Sequence, residues 1–103
     1  MGKFKIFETD RFLQDLSQDF KGQGERIAKK LREYVYPQLR DNPHFGKNIK
    51  KLKNYQPETW RYRIGSYRFF YEVDEKESIV YMLTVDTRKD SSRIVIDKLV
   101  RTR

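Results

Sequence analysis

The spacing of apolar and polar residues changes several times along the chain, and each change marks an element. Lys3-Phe4-Lys5-Ile6-Phe7 alternates with the period of a half-buried strand. Thr9 or Asp10 can then cap a helix whose Phe12, Leu13, Leu16 and Phe20 fall on one face. Lys21-Gly22-Gln23-Gly24 breaks that periodicity. A second helix is predicted from Glu25, with Ile27, Ala28, Leu31, Val35 and Leu39 as its inner stripe. Pro37 lies inside the stripe. A proline within a helix costs about 3 kcal/mol, so a kink there or a stop near Tyr36 is predicted. Asp41-Asn42-Pro43 ends the helical region.

The second half has a two-residue period. His44 to Glu58 reads as a loop with Gly46, Pro57 and the cations Lys50, Lys51 and Lys53. Beyond it Trp60, Tyr62 and Ile64 alternate with Arg61 and Arg63, and Gly65-Ser66 suits a two-residue hairpin turn with glycine first. Tyr67, Phe69, Tyr71 and Val73 then alternate with Arg68, Phe70 and Glu72. Asp74 to Glu77 is a polar turn, and Ser78 to Val85 is a third β run. In the tail, Ile94, Val95, Leu99 and Val100 suit a short helix, whereas Ile94 and Ile96 also suit a strand. The predicted order is β-α-α-β-β-β, an α+β fold with two helices packed on a small antiparallel-dominated sheet and a short C-terminal helix as one reading of the tail. A single domain spanning 1–103 is expected.

The predicted turn sets a register, and the register gathers charge. With Ile64 facing Tyr67, Arg63 faces Arg68 and Arg61 faces Phe70. Opposite residues share a sheet face, as do residues two apart on one strand. Arg61, Arg63 and Arg68 therefore project together, while Trp60, Tyr62, Ile64, Tyr67, Phe69, Tyr71 and Val73 form the side that the helices cover. Like charges placed directly opposite destabilise a sheet by about 0.2–1 kcal/mol. An anion between the guanidinium groups reverses that sign, because each can form paired hydrogen bonds to phosphate oxygens. Arg88, just beyond the third run, is a further candidate for this face.

Composition sharpens the picture. Mean hydropathy is -0.93, low for a folded domain, but seven Tyr, seven Phe and one Trp supply large units of buried area. A thin, aromatic-rich core is expected. The net charge is +8, and it is unevenly placed: Lys47 to Arg68 holds seven basic residues against one acid, Glu58. Such a local field favours phosphate-rich partners, acidic protein segments or anionic lipid. Lys50, Lys51 and Lys53 read either as a plain solvated run or as phosphate contacts.

Other chemistries are excluded or poorly supported. With no cysteine there is neither a disulfide framework nor a thiolate zinc site, and no metal or cofactor is expected. The first residues lack the apolar run of a signal peptide, and no stretch approaches the roughly 20 apolar residues of a membrane span. A soluble cytoplasmic protein without membrane attachment is the expectation. His44, the sole histidine, reads as a loop residue beside Pro43 rather than a catalytic base. Tyr34 and Tyr36 read as packing residues, and Asp15, Asp19 and Glu33 as helix-surface charges.

Lys51-Leu52-Lys53 ahead of the hairpin, then Trp60-Arg61-Tyr62-Arg63-Ile64-Gly65-Ser66-Tyr67-Arg68-Phe69-Phe70-Tyr71, resembles toxins of the RelE type in the RelE/ParE superfamily. Their pattern is Lys-Leu-Lys followed by Tyr-Arg-x-Arg-x-Gly-x-Tyr-Arg-x-x-Tyr. Thr84-Val85-Asp86-Thr87-Arg88-Lys89-Asp90 is similar to the closing Gly-His-Arg-Lys-Asp. The likeness spans nearly the whole chain; its hairpin motif is specific and its helical half generic.

The resemblance implies a toxin of a type II toxin–antitoxin system, an endoribonuclease that cuts messenger RNA on the ribosome. A ribose 2′-hydroxyl would attack the adjacent phosphate without a metal. Arg61 and Arg63 would orient the phosphate, and would help take the proton if either pKa were lowered. Arg68 and Arg88 would stabilise the transition state. Lys50, Lys51, Lys53, Lys89 and Arg93 would contact the RNA. Its partners would be a cognate antitoxin, the ribosome and messenger RNA. Relatives place a Tyr or His after the Arg-Lys-Asp segment, where this chain has Ser91-Ser92-Arg93-Ile94, and Thr87 replaces the frequent His. Those departures keep two alternatives open: a ParE-like inhibitor of DNA gyrase, and an RNA or ribosome binder with weak or no catalysis.

Overall fold

In the computed structural model, which describes residues 3–18, 24–53, 55 and 58–86, the chain opens with strand β1 (Lys5–Glu8) and helix α1 (Asp10–Gln18). Thr9 is the cap. Its Oγ1 accepts the Phe12 amide at 3.3 Å, and its hydroxyl donates to the Met82 carbonyl at 2.6 Å, so one side chain starts the helix and ties it to the sheet. The apolar stripe of α1 buries Phe12 completely but leaves Leu13 on the solvent side, 46% exposed, against the expectation that it joined the inner face.

The second helical stretch continues through Pro37. It runs as α2 (Gly24–Lys30), a π segment (Leu31–Val35) and α3 (Tyr36–Asp41). The Tyr36 amide reaches back five residues to the Leu31 carbonyl. That wider turn makes room for the proline ring, and Pro37 falls in the first turn of α3, directly after it. The predicted kink or stop is thus replaced by a π segment. Ile27, Leu31, Val35 and Leu39 stay on the buried side throughout. Tyr36 is buried with its hydroxyl donating to Glu8, whereas Tyr34 is 54% exposed and does not pack as expected.

Between residues 44 and 58 the expected loop contains a short strand, β2 (Ile49–Lys51). It precedes β3 (Thr59–Ile64), β4 (Tyr67–Asp74) and β5 (Ile79–Asp86). Among the described residues the sheet order is β1-β5-β4-β3-β2, and only the β1–β5 pair is parallel. The first strand therefore lies at one edge and β2 at the other, and the helices cross one face between them. The α+β class and the two-layer packing are as the sequence predicts, with one strand added.

The main core lies under the helices, built from Phe12, Ile27, Val35, Phe69, Tyr71 and Met82 among others. Each large apolar side chain removed from water contributes about 1.5–3 kcal/mol. The Tyr71 hydroxyl donates to the Pro43 carbonyl at 2.7 Å, which satisfies the polar end of a fully buried ring. A smaller cluster, Phe70 and Leu83 with Leu52, Tyr55 and Tyr81 packed against them, lies apart from the main core. Among the described residues, no helix is long and apolar enough to cross a membrane. Phe20 and the whole tail from 87 onward, including the predicted short helix or strand, lie outside the described residues.

Candidate nucleic-acid interface

The site begins with a turn. Gly65 has φ of +59°, and Ser66 is not among the described residues with positive φ, so only the first turn residue uses the left-handed region. This is the requirement of a type II′ hairpin, and glycine meets it without the strain a side chain would bring. The turn pairs Ile64 with Tyr67, Arg63 with Arg68, Tyr62 with Phe69 and Arg61 with Phe70. Arg61, Arg63 and Arg68 therefore share the face opposite the main core.

Strand β2 adds a fourth cation. Lys50 pairs with Arg61, which puts Lys50 on the arginine face. Lys51 pairs with Trp60 on the opposite side, and its ammonium is 2.6 Å from the Glu58 carboxylate. Lys53 is exposed beyond the strand. The three lysines treated together in the sequence are thus divided, and Lys50 alone is placed beside the arginines by strand pairing. Arg88, Lys89 and Arg93, together with Ser92 and Ile94, lie outside the described residues.

Arg68 has a partner. Asp86 pairs with it across β4 and β5, and its Oδ2 is 3.2 Å from an Arg68 guanidinium nitrogen. Both side chains are largely buried, 18% and 8% exposed. A register shift between Phe70 and Tyr71 creates this pair. Continued without the shift, the ladder that pairs Tyr71 with Met82 would set Arg68 against Val85 instead. Sequence reasoning missed Asp86 because nothing in the local pattern announces the bulge.

Arg61 and Arg63 differ. Among the described residues, neither has a carboxylate within ion-pairing distance. The Arg61 Nε is buried without a hydrogen-bond partner. Burial, followed by the positive charges of Arg63 and Arg68, pulls the Arg61 pKa below its usual value. The group remains a cation at neutral pH, so the shift describes a charge short of compensation rather than an available base.

Beside these residues is an open cleft of about 540 Å³, lined by Lys47, Lys50, Arg61 and Arg63 with Asn48 and Gly65. The Arg63 amide donates to the Asn48 carbonyl at 2.9 Å, which extends the β2–β3 ladder by one step and holds Lys47 near the cleft. Lys47 was not singled out in the sequence, where it stood in an apparent loop. No group of three or more His, Cys, Asp or Glu suited to a metal occurs among the described residues. His44 meets Glu75 and packs edge-on against Trp60, a structural position away from the cleft.

A family model described as the ParE toxin of type II toxin–antitoxin systems, parDE, matches residues 8–91. No curated protein matches the chain. Among solved structures, the toxin–antitoxin complex RelBE2 from Mycobacterium tuberculosis gives a TM-score of 0.66 at 24% identity, covering 84% of this chain and 99% of that one. An arginine-substituted variant of the Escherichia coli toxin RelE in the free state gives 0.64 at 22%, covering 98% of both chains. The archaeal RelE–RelB complex from Pyrococcus horikoshii gives 0.63 at 19%, covering 85% and 98%. At these identities the structural likeness shows a shared fold.

Proposed function

Because the chain belongs to the ParE toxin family of type II toxin–antitoxin systems, we propose that it is a toxin that binds RNA on its basic sheet face and cuts messenger RNA on the ribosome. The observation that carries this reading is the convergence of Arg61, Arg63, Arg68 and Lys50 on one face, with the buried Arg61 Nε unpartnered. Cleavage by a 2′-hydroxyl requires the hydroxyl proton to leave, negative charge to be stabilised on the phosphate, and the departing 5′-oxygen to be protonated. Arg61 and Arg63 supply charge to a bound phosphate. Arg68, fixed by Asp86, presents a guanidinium of set orientation to the same group. Arg88, Lys89 and Arg93 complete the reading as the sequence resemblance has it, with Arg88 at the transition state and the other two along the RNA; Lys53 extends the contacts beyond β2, whereas Lys51 is turned to the other side of the strand against Glu58.

The RelBE2 complex from Mycobacterium tuberculosis is a toxin–antitoxin assembly. By analogy this chain has a cognate antitoxin, with an acidic or amphipathic helix that covers the basic face or packs on the toxin's helices. A second reading is favoured by the family match itself: a ParE-like toxin that inhibits DNA gyrase and needs no acid or base residue. The two separate in cells. Expression of the chain, alone and as Arg68→Ala or Arg88→Ala, is followed by mapping of messenger RNA 5′ ends on stalled ribosomes. New ends that disappear in the variants support cleavage. Intact RNA with trapped gyrase–DNA complexes favours the second reading.

A further inference from the structure

We infer that the cleft between β2 and the β3–β4 turn is a second phosphate subsite, in which Lys47 and Lys50 hold a backbone phosphate of single-stranded RNA next to the one held by Arg61 and Arg68. The inference rests on the RNA-binding reading above and adds to it a second place for a phosphate and one residue, Lys47. Three observations support it. The cleft wall carries four cations and no carboxylate. Lys50 is fixed beside Arg61 by strand pairing, and Lys47 is held near Arg63 by the Asn48 carbonyl. Arg68 and Lys51 are already compensated, by Asp86 and Glu58, so the uncompensated charge is concentrated at the cleft.

The spacing fits a chain of phosphates. Lys50 lies directly across from Arg61 on the neighbouring strand, about 4.8 Å away at the backbone, so two long cationic side chains on one face can reach successive phosphates of an extended nucleic-acid strand. The cleft volume of about 540 Å³ accommodates a nucleotide-sized group. An acidic peptide fits less well. Peptide helices dock through apolar side chains at helical spacing, and the two isoleucines on the wall, Ile49 and Ile64, are packed against the main core.

The test is the salt dependence of binding between the full-length chain and a short fluorescein-labelled single-stranded RNA, read by anisotropy from low to moderate KCl. Each phosphate contact on a single strand contributes about 0.7 to the slope of log affinity against log salt. Lys47→Ala with Lys50→Ala should remove one phosphate contact, lower the slope by about 0.7 and weaken binding severalfold at low salt. Lys29→Ala with Lys76→Ala, the same charge change at exposed positions elsewhere, should leave the slope at its original value. Lys47→Arg with Lys50→Arg should retain it, which separates loss of charge from loss of the edge strand. If the alanine pair matches the Lys29/Lys76 control, the subsite is overturned while RNA binding stands. If the unaltered chain binds no RNA, or binds polyglutamate instead with the same Lys47 and Lys50 dependence, both readings are overturned.

Discussion

Arg68 and Arg61 lie on the same sheet face one strand apart, yet their surroundings are opposite. Arg68 is held by a buried carboxylate from the neighbouring strand. Arg61 faces Phe70 across β3 and β4, feels Arg63 and Arg68 as like charges, and buries its Nε without a partner. One guanidinium is compensated within the fold, and the other has no carboxylate within ion-pairing distance among the described residues. The contrast shows how a small domain can keep a concentrated positive face: one end is anchored by an internal acid, and the end at the open cleft carries the unsatisfied charge.

The largest effect should come from breaking the anchored end. Removing one partner of a buried ion pair leaves the other charge without compensation. Asp86→Ala should therefore lower unfolding stability by about 3 kcal/mol, measured by urea denaturation, and a loss below about 1 kcal/mol would mean the pair is solvated.

The next effect concerns the opposite face of the sheet. The Tyr36 and Tyr71 hydroxyls are pushed well above their ordinary value of 10.0, chiefly by burial, with the hydrogen bond to Glu8 adding to the effect at Tyr36. Above pH 10 the unfolded chain loses those protons and the folded chain keeps them, so their stability contribution, complete below pH 10, falls as pH rises. Each tyrosine should contribute about 1.4 kcal/mol of lost stability per pH unit. Tyr71→Phe should remove one such increment from the alkaline slope of thermal or urea unfolding; an unchanged slope would refute the assignment.

A smaller change of opposite sign should come from the uncompensated end. Arg61→Met removes a partly buried charge from between like charges, so it should stabilise the fold by about 0.5 kcal/mol while reducing RNA affinity. A variant that loses both stability and affinity would erase the contrast with Arg68. The smallest effect is expected at Lys51. Its pair with Glu58 is exposed, and Lys51→Ala should change stability by no more than about 0.5 kcal/mol, within the reach of careful denaturant titration.

Much of this arrangement was legible in the residues. The alternation through Trp60–Ile64 and Tyr67–Val73, with a glycine able to adopt positive φ between them, specifies a hairpin in one register, because a slip by one residue would carry the aromatic set to water. Thr9 as a cap and the stripe from Ile27 to Leu39 were equally readable. Strand β2 was not. Three residues with two lysines carry too little periodicity to declare a strand, and Ile49–Lys51 becomes one only because β3 offers an open edge. The π segment that admits Pro37 was also hidden, since helix periodicity does not reveal where an extra residue will be absorbed.

The sequence by itself determined which side chains lie on which side of the central hairpin, since that depends on local period and turn chemistry. The tertiary structure alone decided which of those cations are compensated. The bulge opposite Phe70 brings Asp86 rather than Val85 across from Arg68, and the pairing of β2 sets Lys50 beside Arg61 while sending Lys51 to Glu58. Electrostatic balance depends on distances between residues far apart in the chain, and those distances exist only once the strands have paired.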